Sequence, residues 1–225
     1  MEKFVCKIDP KIIYDLNNQI SKNRIINWAP DYNDQAGISF DDLSYILDYW
    51  KNKFSWTNEE EKLNKFNQYV FQYDNVKTHF LHIKSNHKNS IPLLLIHGWP
   101  GSIFEFNDLI PLLTSPDKND LKDHLAFDLI IPSLPNVGFS FSPKQKPLDL
   151  NGISKHFIKL MKTLDYQKYF IQGGDLGSFI ASIMAVNVPK EVMGIHLNLL
   201  PLPRGLNKKP DNSEEESYYE DLKYF

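Results

Sequence analysis

Four short apolar runs, separated by helical patterns, constrain this chain most. Residues 91–96, 127–131, 169–172 and 192–200 are rich in Ile, Leu, Val, Phe and Tyr. Continuous apolar runs of that length have the look of buried parallel strands. Between them, residues 102–113 and 153–164 repeat apolar positions at helical spacing. Leu176, Phe179, Ile180, Ile183 and Met184 trace one further helical stripe. Strands alternating with helices imply βαβ units, so the expected fold class is α/β, with a mostly parallel sheet flanked by helices.

The stretch before these runs has another texture. Asp9-Pro10 reads as a helix entry, an N-cap followed by proline at the first helical position. Leu43, Ile46, Leu47 and Trp50 recur at helical spacing, and Thr57-Asn58-Glu59-Glu60 fits a capping box that starts another helix. Residues 67–74 and 76–84 hold β-branched and aromatic residues around Asp74-Asn75, a hairpin signal. Ser102-Ile103-Phe104-Glu105 is a second capping box.

A chain of 225 residues with 42% hydrophobic and 24% charged residues has enough apolar surface for a sizeable core. The net charge of −3 gives no footprint for nucleic acid, and the densest basic spot is only Lys208-Lys209. Cys6 is the single cysteine, so no disulfide forms within the chain, and a reducing, cytoplasmic compartment is expected. Residues 1–15 mix charged and apolar residues, unlike a signal peptide, and no run approaches the roughly 18 apolar residues of a membrane helix. The histidines show no metal-ligand spacing, so neither metal nor cofactor is expected.

Two glycine-rich segments follow predicted strands, at the sheet end where open α/β folds bind ligands. Gly173-Gly174-Asp175-Leu176-Gly177 has the form of a nucleophile elbow, with aspartate in the serine position. Flanking glycines let the chain make the sharp turn, and the helix N-terminus beyond favours a negative charge. A carboxylate there can attack carbon and form an ester. On the local pattern alone, a plain N-cap after a glycine turn is the commoner explanation of Asp175. The second segment, His97-Gly98-Trp99-Pro100-Gly101-Ser102, can point backbone N–H groups into a site as part of an oxyanion hole. His97 itself, at the strand end, is expected to make a structural hydrogen bond rather than act as a base.

Together these segments resemble the epoxide hydrolases, in the branch with a helical N-terminal extension that includes the microsomal and juvenile-hormone enzymes. The resemblance runs from Trp28 to about residue 200. It passes through Tyr49-Trp50, Phe54-Ser55-Trp56, Leu63-Asn64-Lys65-Phe66 and His79-Phe80-Leu81-His82. The segment LLLIHGWPGSIFEF, residues 93–106, is the most specific. Pro132-Ser133-Leu134-Pro135, Gly138-Phe139-Ser140 and Gln172-Gly173-Gly174-Asp175 match in order and spacing.

The resemblance implies an α/β-hydrolase fold and the conversion of epoxides to vicinal diols, a detoxification chemistry. Asp175 matches the nucleophile that forms the alkyl-enzyme ester. The N–H groups of Trp99 and Leu176 match the oxyanion hole, Pro100 a proline usually held in cis, and His97 and Gly98 the same loop. The implied domains are an extension over 1–65, a partial hydrolase core over 66–207 and a linker over 208–225. Leu176 stands where the family usually has tryptophan, and Asn136-Val137 where it usually has Gly-Tyr. The family's cap, last strands, acid partner and catalytic histidine follow the strand that residues 192–200 match. None of histidines 79, 82, 87, 97, 124, 156 or 196 matches that base, and Tyr218, Tyr219 and Tyr224 fall too early for cap tyrosines.

The chain is therefore expected to be incomplete, and stalled or inactive as it stands. Its substrate would be a small hydrophobic epoxide. A haloalkane-dehalogenase reading is disfavoured by the extension. The non-enzymatic alternative is a remnant or split-gene half that binds hydrophobic ligands, a complementary C-terminal chain or another copy of itself.

Overall fold

The computed structural model describes residues 1–24, 37–116, 125–200, 210 and 212–221. Trp28, His124, Lys208, Lys209 and Tyr224 lie outside these, as do the side chains of Tyr218 and Tyr219. The chain order is β1 (Glu2–Phe4), α1 (Pro10–Lys22), α2 (Phe40–Asn52), α3 (Trp56–Leu63), β2 (Gln68–Tyr73), β3 (Val76–Ile83) and β4 (Ile91–Ile96). It continues through α4 (Leu109–Thr114), β5 (Phe127–Pro132), α5 (Leu150–Thr163), β6 (Tyr169–Gly173), α6 (Leu176–Asn187), β7 (Val192–Leu197) and α7 (Ser213–Asp221).

The strands form one seven-stranded sheet in the order β1-β2-β3-β5-β4-β6-β7. β5, β4, β6 and β7 run parallel, as their apolar runs predict, and β1, β2 and β3 continue the sheet antiparallel. The β2–β3 hairpin closes at Tyr73 opposite Val76, with Asp74 at φ 49° and Asn75 at φ 60°. Two successive positive φ values are what a two-residue hairpin turn needs, and short polar side chains tolerate them.

Each sheet face has its own core. One packs Leu94, Ile96, Ile130 and Ile171 against Phe157, Leu160 and Met161 of α5 and Ile180, Ala181 and Met184 of α6. The other packs Leu81, Leu93, Leu95, Leu129 and Ile131 against Ile103, Phe106 and Ile110, with Cys6 and Leu63 from the N-terminal stretch. At about 1.5–3 kcal/mol for each fully buried large apolar side chain, these layers supply the main drive for folding.

Several boundaries differ from the sequence reading, each for a local reason. Residues 1–65 are not wholly helical: Glu2, Lys3 and Phe4 pair with Val70, Tyr69 and Gln68, so the extension adds an edge strand to the sheet. The capping box at Thr57 gives way to Ser55, whose side chain accepts the Asn58 N–H, and α3 begins at Trp56. The helix expected over 102–113 splits. Ser102 and Glu105 form the capping box, but that turn is a 3₁₀ helix over Ile103–Phe106. Pro111 has no N–H and its ring would crowd a preceding carbonyl, so it fits the first turn of a new helix, α4, but not the middle of a long one. Within 208–225, expected as a linker, α7 forms where Asn212 Oδ1 accepts the Glu215 N–H.

Candidate active site

The parallel pairing of β4 with β6 brings the two glycine-rich segments together. Ile96 lies beside Gly173 in the register, and the Gly174 N–H reaches the Ile96 carbonyl at 3.4 Å. After β6 the chain turns at Asp175, which has φ 50° and ψ −123°, and enters α6 at Leu176. A non-glycine residue in that region is strained. The helix sits tight against the sheet because of two glycines. A Cβ on Gly173 would collide with the Gly177 carbonyl, and one on Gly177 with the carbonyl of Ile96. Gly174 differs, since a Cβ there would meet only the Asn198 side chain at 3.6 Å.

Across from the elbow runs the loop after β4. The Trp99 N–H donates to Asp175 Oδ1 at 2.8 Å, and the Trp99–Pro100 peptide is cis. A Cβ on Gly98 would stand 2.5 Å from Asp175 Cβ, so only glycine lets the loop come this close. The Leu176 N–H, at the first position of α6, is one of the helix-initial donors without an intrahelical acceptor. The Leu176 side chain packs against the core under α6. Asp175 and the Trp99 side chain are exposed. A carboxylate with one oxygen on a backbone donor and an open face can act as a nucleophile.

His97 is 1% exposed. The Leu134 N–H donates to its Nε2 at 3.0 Å, which leaves Nδ1–H to donate to the Gly98 carbonyl at 2.8 Å. Burial lowers its ionisation below the ordinary histidine value, against the smaller opposing effects of the Gly98 carbonyl and Glu105. Asn136 takes φ 64°, a conformation asparagine tolerates. His196 lies on β7 beside Gln172, and among the described residues no histidine hydrogen-bonds Asp175. Among the described residues, no three His, Cys, Asp or Glu side chains are grouped to hold a metal ion, and no helix is long and apolar enough to cross a membrane.

One polar cluster behind the site was not anticipated. His79, on β3, is fully buried, with Nδ1 3.0 Å from Ser133 Oγ and Nε2 3.0 Å from Gln68 Oε1. Ser133 precedes Leu134, so this cluster braces the segment that holds His97. The signal available was slight: His79 stands directly before the apolar pair Phe80-Leu81 in a strand that also carries Lys77, Thr78 and His82.

Comparison with known proteins places both halves. The epoxide hydrolase N terminus family matches residues 1–106, and the alpha/beta hydrolase fold family matches residues 91–216. Epoxide hydrolase 1 of Sus scrofa is 38% identical over 191 residues, which is 83% of this chain and 42% of that protein. Juvenile hormone epoxide hydrolase 1 of Ctenocephalides felis is 33% identical over 199 residues, 87% of this chain and 42% of that protein. The crystal structure of the juvenile hormone epoxide hydrolase of the silkworm Bombyx mori superposes with a TM-score of 0.77 at 32% identity, covering 88% of this chain and 52% of that one. The chain thus spans less than half the length of the two curated relatives. It belongs to the α/β-hydrolase family, on the branch whose members carry the epoxide hydrolase N terminus.

Proposed function

We propose that Asp175 opens an epoxide by carboxylate attack. One Asp175 oxygen forms a bond to a ring carbon, the C–O bond of the ring breaks, and the epoxide oxygen leaves as an alkoxide that takes a proton from solvent water, with release of hydroxide. The observation that carries this reading is the Trp99 N–H on Asp175 Oδ1. It holds one oxygen and leaves the other to attack. In the ester, Oδ1 is the carbonyl oxygen that becomes the oxyanion when water adds to Cγ. Trp99 N–H, with Leu176 N–H beside it, would stabilise that charge; removing one such donor typically costs on the order of 10²–10³ in rate. The substrate would be a small hydrophobic epoxide.

Hydrolysis of the ester needs a base. Among the described residues none is hydrogen-bonded beside Asp175, and general base catalysis contributes about 10²–10⁴-fold. The ester is therefore expected to persist. The test is intact-protein mass after incubation with excess aryl epoxide, for the chain and for Asp175→Asn. Cys6 is buried and its thiol is pushed up to about 11, first by burial and then by Glu60, so background alkylation should be low; masking it removes the ambiguity. One adduct, absent in Asp175→Asn, supports the reading. No adduct on folded protein defeats it.

A second reading, association with a complementary chain, has two observations in its favour. Among the described residues β7 pairs only with β6, and a groove of about 710 Å³ lies on the sheet face lined by Leu93, Leu95, Phe170 and Gly194. Activity regained on mixing with the C-terminal half of an epoxide hydrolase would favour it, and no change on mixing would count against it.

A further inference from the structure

The Gly98–Trp99 peptide group is held at both ends. Its carbonyl accepts from His97 Nδ1–H at 2.8 Å, and its N–H donates to Asp175 Oδ1 at 2.8 Å. In a trans peptide these two groups point in opposite directions, so an anchor on the carbonyl aims the N–H. The anchor is needed because residue 98 has to be glycine, to clear Asp175, and glycine leaves the flanking peptide free to rotate. We propose that His97 is a positioning residue, which in its Nδ1–H tautomer fixes the orientation of the Gly98–Trp99 peptide and so places the Trp99 donor on Asp175.

The tautomer is imposed from outside the loop. Leu134 can only donate, so Nε2 has to accept. Leu134 is fixed in turn: its carbonyl accepts the Val137 N–H at 2.9 Å, and the adjacent Ser133 N–H bonds the His79 carbonyl at 2.8 Å. His79 is oriented by Gln68. The Gln68 amide nitrogen donates to the Leu63 carbonyl and to Asn64 Oδ1, so its oxygen accepts from His79 Nε2–H. Asn64 also bonds both the N–H and the carbonyl of Cys6. The N-terminal stretch is thereby linked, through neutral hydrogen bonds, to the peptide that touches Asp175. A carbonyl that accepts a hydrogen bond also polarises its own peptide, which strengthens the N–H as a donor. Glu105 is the charged group that acts on His97 from the neighbouring 3₁₀ turn.

The catalytic consequence rests on the proposed role of Asp175, but the geometry is measurable without turnover. The probe is the Trp99 amide, followed by hydrogen exchange in the full chain, with wild type, His97→Leu and His97→Asn compared. Leucine fills similar space without polar atoms. Asparagine places an N–H near the position of Nδ1 and can still reach the Gly98 carbonyl. His97→Leu should speed Trp99 exchange by about tenfold, the effect of losing one net hydrogen bond, and His97→Asn should restore most of the protection. With an aryl epoxide, the maximal rate of adduct formation should fall in the same order, while the epoxide concentration for half-maximal rate stays unchanged. Trp99 protection equal in all three proteins overturns the proposal. Where His97→Leu fails to fold, the wild-type ring nitrogens decide: 15N shifts at neutral pH should show Nδ1 protonated and Nε2 bare, and the opposite tautomer overturns the proposal. A wild-type chain with a protected Trp99 amide and no Asp175 adduct defeats the proposed function while supporting the positioning role.

Discussion

Gly98 and Asp175 leave no room for a methyl group between them: a Cβ on Gly98 would stand 2.5 Å from Asp175 Cβ and 2.7 Å from Oδ1. Gly98→Ala should therefore push the carboxylate off the Trp99 N–H. A displacement of about 1 Å at a reacting group can cost on the order of 10²-fold. The rate of adduct formation with an aryl epoxide should drop by about that factor, with the urea unfolding midpoint little changed. Equal rates in Gly98→Ala and wild type would mean that the loop yields without consequence.

Asp175 sits at φ 50° and ψ −123°, which side chains disfavour and glycine accepts. Strain of this type costs about 1–3 kcal/mol. Asp175→Gly should raise the unfolding free energy by about that amount while removing all adduct formation. Asp175→Asn removes the adduct but keeps a side chain at the same angle, so its gain should be smaller. Denaturant titration of the three proteins separates the cases, and a glycine variant no more stable than the asparagine variant would mean that the elbow is relaxed.

The elbow glycines should not be equivalent. A Cβ on Gly177 would strike the Ile96 carbonyl, a backbone atom of the central sheet, and overpacking of this kind costs about 1–3 kcal/mol. Gly177→Ala should lose stability by at least that much. Gly174→Ala meets Asn198 at an ordinary contact distance, and its φ is not in the left-handed region. Its stability should lie within about 1 kcal/mol of wild type, since a compatible Gly→Ala change stiffens the unfolded chain. Equal losses in a thermal melt would contradict the contact geometry.

The four parallel strands were legible because each is a short, mostly apolar run, interrupted only by Asp128, Gln172 and His196, and the β2–β3 turn because Asp74-Asn75 suits positive φ. β1 was not legible. Glu2-Lys3-Phe4 has no period of its own, and its pairing is decided by Gln68, Tyr69 and Val70 far along the chain. The elbow was visible as Gly-x-Asp-x-Gly, but the sequence gives no reason for Gly174 to differ from Gly173 and Gly177. That depends on which backbone lies opposite. Asp175 and Trp99 are 76 residues apart, and their contact follows from β4 pairing with β6. The bonds of His97 depend on the Leu134 N–H, 37 residues away, a relationship that no spacing rule contains.

Two buried histidines should make the fold acid-sensitive above the carboxylate range. His79, wholly buried between β2, β3 and Ser133, is pushed by burial from 6.5 to about 4. His156, on α5 with Nε2 3.0 Å from Thr78 Oγ1, is pushed to about 4 by burial, against a smaller opposing effect of Asp74. The folded state thus binds fewer protons than the unfolded state between these values. The stability from each neutral ring is fully present above pH 6.5 and is lost as pH falls from 6.5 towards 4. A lowering from 6.5 to about 4 corresponds to on the order of 3 kcal/mol for each histidine, reached only below pH 4, a sizeable part of the 5–15 kcal/mol of a typical domain. Asp128 acts lower down. Burial would raise it, but the Ser85 N–H, the Ser90 hydroxyl and Lys84 together hold it below its usual value, so its contribution fades only as pH drops through the carboxylate range. Urea unfolding at pH 7, 5.5 and 4.5 should show wild type weakening steadily. His156→Gln, which keeps a polar atom towards Thr78 but does not titrate, should follow a flatter profile and lose about 2 kcal/mol less between pH 7 and 4.5. Parallel profiles would mean that His156 takes up its proton in the folded state at no cost.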